Sequence, residues 1–424
     1  MILKNSKLLI SFVAFSLCFH LSGRAQDYLS SPYSRFGWGE MQPRSTQKCQ
    51  AMGGTAFAYR SPTCINSKNP ASYSAFDSLS AVVDAAFSLR MHRLTEGSEN
   101  QQGSTAFFDY FSFGLPVTSH WATALGIQPF SIVSYDYTRS SEAFSSSDWG
   151  DGGTYEIFLG NSLRFGSHFS VGLQASYLFG TSRRAHELVF SDDKCLNLRS
   201  MEEDAFGGFL FSTGMQCLLP VGKKLLGFGL AFTPSLPSCV HVDRSAYRLT
   251  YRFESALETT VDTLNWEGLL SQRLQVKNPA VLGFGLSWSE PDRFWVGADA
   301  EWTGWSRYAV GGTSDSLNDR MRFSAGAEWI PQSGGGSYLK RITYSAGLFY
   351  EKDYLNVAQT SFHRMGMDVG LAFPVKKNKS KIGVCLETGL FAPVGGEEGI
   401  REQYYRFTVH VQLHEKWYQH RKLD

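Results

Sequence analysis

After residue 21 the chain has no uninterrupted apolar run long enough to cross a bilayer as a helix, which takes about 20 residues, and charged residues recur throughout. That excludes a helical membrane protein. The sequence also lacks a charge surplus, with 40 basic against 39 acidic residues, so it has no basic excess of the kind a nucleic-acid partner calls for. GxxxxGK[ST], HExxH, CxxC and GxSxG are all absent. His414-Glu415 runs into Lys416-Trp417-Tyr418, which breaks the zinc-helix spacing, and the ten histidines are scattered. The expectation is therefore a chain that is not an enzyme, with no catalytic residue, metal or cofactor.

What is present begins with an export signal. Lys4 and Lys7 precede an apolar stretch from Leu8 to Leu21 and then Gly23-Arg24-Ala25, so residues 1–25 read as a signal peptide cleaved after Ala25. Leu17 stands before Cys18 where a lipoprotein needs a small residue. Six cysteines remain after cleavage: Cys49, Cys64, Cys195, Cys217, Cys239 and Cys385. An even number in an exported chain allows disulfides, with Cys49–Cys64 and Cys195–Cys239 the pairs to test, and allows equally six small buried thiols.

The dominant pattern is alternation with a period of two. Ala81, Val83, Ala85, Phe87, Leu89 and Met91 alternate with Ser80, Asp84, Ala86, Ser88 and Arg90; Tyr405, Phe407, Val409, Val411 and Leu413 alternate with Arg406, Thr408, His410 and Gln412. Alternation alone also suits a soluble sandwich. The connections choose between the two. Fourteen strands are predicted between residues 79 and 414, and every second link is short: Val117 to Trp121, Gly166 to His168, Pro220 to Lys224, Ser289 to Asp292, Pro331 to Gly336 and Lys376 to Lys379. The other links are longer, with Val240 to Lys277 the longest. Turns at one end and loops at the other mark an outer-membrane barrel. Trp302, Trp329, Phe323 and Phe294 on the apolar face would form an aggregation-prone patch in water, but a solvated surface in lipid. The expected fold class is all-β: a closed antiparallel transmembrane β-barrel of about fourteen strands at 79–414, in a bacterial outer membrane, ending in a basic tail at 415–424.

Residues 26–78 do not alternate and are dense in Gly, Ser, Pro and Asn. They include Ser31-Pro32-Tyr33-Ser34-Arg35-Phe36-Gly37, Met52-Gly53-Gly54-Thr55-Ala56-Phe57-Ala58 and Ser67-Lys68-Asn69-Pro70-Ala71. A Gly/Ala-rich stretch and an Asn-Pro-Ala ahead of a fourteen-stranded barrel resemble the FadL-type family of outer-membrane barrels for long-chain fatty acids and aromatic hydrocarbons. The opening motif and the basic close from Glu415 to Lys422 look like a branch common in Bacteroidota. The run past Trp417 to Asp424 departs from barrels that finish on an aromatic residue. The resemblance implies that residues 26–78 form a hatch in the lumen, with Gly53, Gly54, Asn69, Pro70 and Ala71 as its motif, and that a small hydrophobic molecule passes sideways through a gap in the third strand. Gln128 and Pro129 fall there, and proline removes a ladder donor from a strand that should be paired.

The polar face should line the lumen with Asp84, Arg90, Asp299, Glu301, Arg322, Glu328, Arg341, Glu387, Arg406 and His410. These side chains either gate a ligand or pair off and hold the hatch; burial without water favours pairing. Closure of the first strand on the last is expected to bring Asp84 beside His410, and the turn at Pro331 to bring Glu328 toward Arg341. Outer-membrane lipid is the expected surroundings. Two functions from different classes fit: passage of a hydrophobic small molecule, or a plugged barrel subunit of an envelope complex for protein secretion or barrel assembly. In the second, Arg248, Tyr251, Phe253 and Trp266 of the longest loop would suit a protein partner.

Overall fold

A computed structural model describes residues 31–416 apart from 193, 252–257, 264–270, 311–312, 315–316, 333–336, 358, 376–378 and 397–398. The signal peptide, the tail beyond 416, Phe253 and Trp266 lie outside the described residues. Fourteen strands form the wall: β1 (Ser80–Glu96), β2 (Glu99–Pro116), β3 (Trp121–Ile132), β4 (Phe144–Phe165), β5 (Phe169–Phe190), β6 (Asn197–Val221), β7 (Lys224–Thr233), β8 (Val281–Glu290), β9 (Phe294–Thr303), β10 (Arg320–Trp329), β11 (Thr343–Val357), β12 (Thr360–Pro374), β13 (Lys381–Pro393) and β14 (Arg401–Lys416). Each pairs antiparallel with its neighbours in sequence, and β1 closes the barrel on β14 from Ser80↔Lys416 to Thr95↔Arg401. Closure leaves no free sheet edge at that seam, as a bilayer requires.

The alternation sorts the side chains as expected. On β1, Phe87, Leu89 and Met91 are exposed while Ser88, Arg90 and His92 are buried. Leu159, Leu173, Phe209, Phe323, Trp329, Leu348 and Phe407 continue the exposed apolar band around the wall. No helix among the described residues is long and apolar enough to cross a membrane. The six links expected to be short lie at the end where β1 starts and β14 finishes, which the longer segments at the other end mark as the periplasmic end of such a barrel. Two links at that other end are also tight, Glu96 to Glu99 and Val357 to Thr360, against the expectation that they would be longer.

The structure corrects the sequence reading in several places. The stretch from Val240 to Lys277 is largely strand rather than loop. Pro237–Tyr251 pairs with β6 along Cys239↔Gly207 to Leu249↔Asn197, and Ser271–Lys277 pairs back on it. The cause is the height of the neighbours: β4, β5 and β6 have 22, 22 and 25 residues, more than the roughly 9 to 11 that cross the hydrocarbon. Their projecting ends offer hydrogen-bonding edges to the chain that follows. The third strand, expected near 120–138 with a gap at Gln128 and Pro129, divides after Ile132 into Trp121–Ile132 and Tyr135–Ser140. Tyr338–Arg341 is a 3-10 turn rather than the start of a strand. Arg341 therefore lies over the Tyr338 ring in that turn instead of lining the lumen.

Candidate functional site

The hatch runs through the lumen from end to end. At the outer end, Tyr33 packs on Phe362 and Phe391 with ring centroids 4.5 and 5.5 Å away, and its hydroxyl accepts a hydrogen bond from the Ile400 backbone N–H at 2.8 Å. Trp38 is buried among Phe130, Phe206, Trp305 and Tyr308, and Trp305 stacks on Tyr354. The chain's own aromatic side chains thus occupy the apolar outer half of the lumen. At the other end Asp77 pairs with Lys379 at 2.6 Å and with His414 at 3.1 Å.

Between these ends the hatch motifs rest directly on the wall. Met52-Gly53 lies against Gly326 of β10 and Gly347 of β11, Phe57 against Gly229 of β7 and Gly283 of β8, and Asn69-Pro70 against Gly172 of β5 and Gly214 of β6. A side chain at Gly347 would overlap the Gly53 backbone, and one at Gly172 the Pro70 carbonyl group. Gly53 and Gly54 take φ values of +72° and +80°, which lets the chain turn after the short helix Gln47–Gln50. Asn69 caps the 3-10 turn Pro70–Ala75 by accepting from the Ala71 N–H at 3.2 Å, and its amide donates to the carbonyls of Phe57 at 2.7 Å and Met215 at 3.2 Å. The hatch motif is therefore a set of wall contacts. The interior glycines that receive it were not picked out from the sequence, although a glycine inside a strand marks close approach of another backbone.

Polar groups fix the hatch in place. Glu40 accepts from Arg90 of β1 and Arg364 of β12, each at 2.7 Å, and Arg90 also pairs with Glu402 of β14. Lys48 pairs with Glu328 at 3.2 Å, Lys68 with Glu301 at 2.8 Å, and Arg44 with Glu156 at 3.1 Å. Asp299 accepts from the backbone N–H groups of Ala56 and Phe57, and Arg322 donates to the Gly53 carbonyl at 3.0 Å. Burial alone would raise the Glu40 carboxyl, but Arg90 and Arg364 bring it down to about 2. Burial likewise opposes the Lys48 ammonium, which Glu328 and Tyr59 nevertheless hold well above its ordinary value.

Of the remaining lumen residues, Arg406 pairs with Asp109, Glu387 accepts from the Tyr404 hydroxyl at 2.8 Å, and Asp84 accepts from the Tyr110 hydroxyl at 3.0 Å. Asp84 does not face His410: it stands opposite Gln412, and Ala86 stands opposite His410, because the closing register is shifted by two residues. Glu328 meets the hatch at Lys48 instead of Arg341. A cavity of about 100 Å³ survives between hatch and wall, with a mixed lining of charged residues such as Glu40, Arg90 and Arg322 and apolar ones such as Phe57, Phe130 and Leu210.

Among the described residues the wall pairing is interrupted between β2 and β3. β2 and β3 pair only from Phe111↔Ile127 to Pro116↔Ala122. Beyond that, Glu99 to Tyr110 of β2 pair with β1 alone among the described residues. The edge of β3 is taken instead by the hatch strand Glu40–Met41, in the register Glu40↔Ile132 and Met41↔Ser131, and the Gln42 N–H donates to the Phe130 carbonyl at 3.0 Å. Gln128 and Pro129 begin this divergence, with a register shift against β4 just after Pro129.

A family model described as BamG matches residues 3–424. No curated protein matches the chain. Among solved structures, a FadL homologue of Pseudomonas aeruginosa aligns with a TM-score of 0.60 at 11% identity over 90% of this chain and 100% of that one. The toluene transporter TodX of P. putida gives 0.57 at 14% over 88% and 98%, and the toluene transporter TbuX of Ralstonia pickettii gives 0.56 at 12% over 88% and 98%. At such identities the likeness is one of fold: the chain has the FadL-type outer-membrane barrel architecture.

Proposed function

The chain belongs to the BamG family, and from that premise we propose that it is an outer-membrane barrel kept shut by its hatch, acting through its surfaces as a subunit of an envelope complex for protein secretion or barrel assembly. The observation that carries this reading is the fixed hatch. Its motifs sit on wall glycines, its Glu40, Arg44, Lys48 and Lys68 are consumed in buried pairs, and its Tyr33 and Trp38 fill the apolar half of the lumen where a hydrophobic ligand would lie. Withdrawing it would strand several buried charges at once, each broken pair costing about 3–5 kcal/mol.

A specific observation favours the second reading, passage of a small hydrophobic molecule. The unpaired stretch of β2 beside Gln128 and Pro129 supplies a gap in the wall through which such a molecule would leave sideways, and the solved barrels of similar fold include toluene transporters. Mild detergent extraction of the full-length chain from its own envelope separates the two. Stoichiometric protein partners are expected on size-exclusion chromatography. A lone barrel carrying a bound hydrophobic molecule overturns the subunit reading and supports passage.

A further inference from the structure

Two cysteines of the hatch lie where the described residues require no free thiol. Cys49 lies in the helix Gln47–Gln50, Cys64 follows the turn after Tyr59, and both are essentially inaccessible, at 0% and 1% exposure. They share one apolar cluster with Met52, Ala56, Tyr59 and Trp295. Both sulfurs touch a single oxygen: the Thr46 hydroxyl lies 3.2 Å from the Cys64 Sγ and 3.9 Å from the Cys49 Sγ. The other mature cysteines do not resemble this pair. Cys195 is exposed, Cys217 and Cys239 are half-buried on separate strands, and Cys385 is buried on β13.

We propose that Cys49 and Cys64 are a modification site, joined in the exported protein by a disulfide that staples the hatch. Each sulfur loses its proton, the S–S bond forms, and the two electrons pass to the disulfide of a thiol oxidoreductase, which leaves as a dithiol. The burial of both sulfurs behind a closed wall sets the order of events: the oxidant reaches them only before the hatch is enclosed. The bond would join the two halves of the hatch. The Cys49 side leads into Met52-Gly53-Gly54 on β10 and β11, and the Cys64 side into Asn69-Pro70-Ala71 on β5 and β6, so motifs seated on different sectors of the wall become one cross-linked body. This inference goes beyond the function proposed above and does not depend on it.

The test is thiol mapping of the full-length protein. Envelopes are quenched in acid, denatured, and alkylated with N-ethylmaleimide before and after reduction by a phosphine, then digested for mass spectrometry. The expected result is a linked Cys49–Cys64 peptide that takes up label only after reduction, while Cys195 and Cys217 label at once. Alkylation of both hatch cysteines without reductant overturns the proposal. Cys49→Ser should release Cys64 for immediate labelling, and a Cys64 that stays blocked in this variant also overturns the pairing. For the order of events, phosphine added to the folded barrel in detergent should leave the bond intact where the denatured chain loses it within minutes; equal rates would overturn enclosure after oxidation.

Discussion

Glu40 shows how one side chain can join hatch to wall. Two guanidiniums converge on it from strands far apart in sequence, Arg90 of β1 and Arg364 of β12. Glu40→Gln removes the charge but leaves both arginines buried, so it should destabilise the folded protein by about 3–5 kcal/mol, read as a lower melting temperature in detergent. An unchanged melting temperature would mean that water screens the site. The same group predicts a pH dependence. Its carboxyl sits at about 2 in the folded protein against 4.5 normally, so its contribution is complete above about 4.5 and disappears as pH falls toward 2. Melting of the parent protein should weaken across that window, and melting of Glu40→Gln should weaken less. Parallel curves would count against the assignment. Arg90 was legible as a lumen residue from alternation alone. Glu40 was not, because it lies in a segment without periodicity, and no local pattern announces a partner 324 residues away.

At the scale of elements, the strands could be read from the sequence because lipid on one side and an enclosed interior on the other impose strict alternation along each strand. The exceptions have local causes. Strand extends through Pro237–Tyr251 because tall neighbours offer it an edge, and Arg341 leaves the lumen because its segment turns before β11 begins. The hatch strand Glu40–Met41 is the clearest case of an element that only a partner creates: two residues become strand by pairing with the edge of β3 that β2 leaves vacant. Gln42→Pro removes the N–H that bonds to the Phe130 carbonyl. Amide exchange of Phe130 to Ile132 should then rise by about fivefold, the counterpart of losing about 1 kcal/mol of local protection. No change at those amides would show that the β3 edge holds its shape without the hatch.

For the whole molecule, the central question is whether the lumen is closed by the hatch alone. A chain lacking residues 31–78 keeps every wall strand and loses the side chains that fill the interior. It should conduct ions in a planar bilayer, whereas the full-length protein should stay silent. If the truncated barrel refolds and stays silent, the outer segments close it and the hatch is not the plug. Gly347→Leu gives the same information without a deletion. Its side chain would meet the Gly53 backbone, so a displaced hatch should appear as added conductance in a barrel with normal strand content.

By itself the sequence determined that its strands alternate between lipid and lumen, and that about fifty residues before them do not. Those features follow from solvent on each side of a strand, and solvent acts residue by residue. Only the tertiary structure decided that these fifty residues are clamped rather than loose, that Asp299 and Glu301 serve the hatch, and that β2 and β3 part above Phe111. Such facts depend on which strand lies opposite which. A barrel fixes that by closing on itself through a register that the lumen-facing residues of distant strands set together.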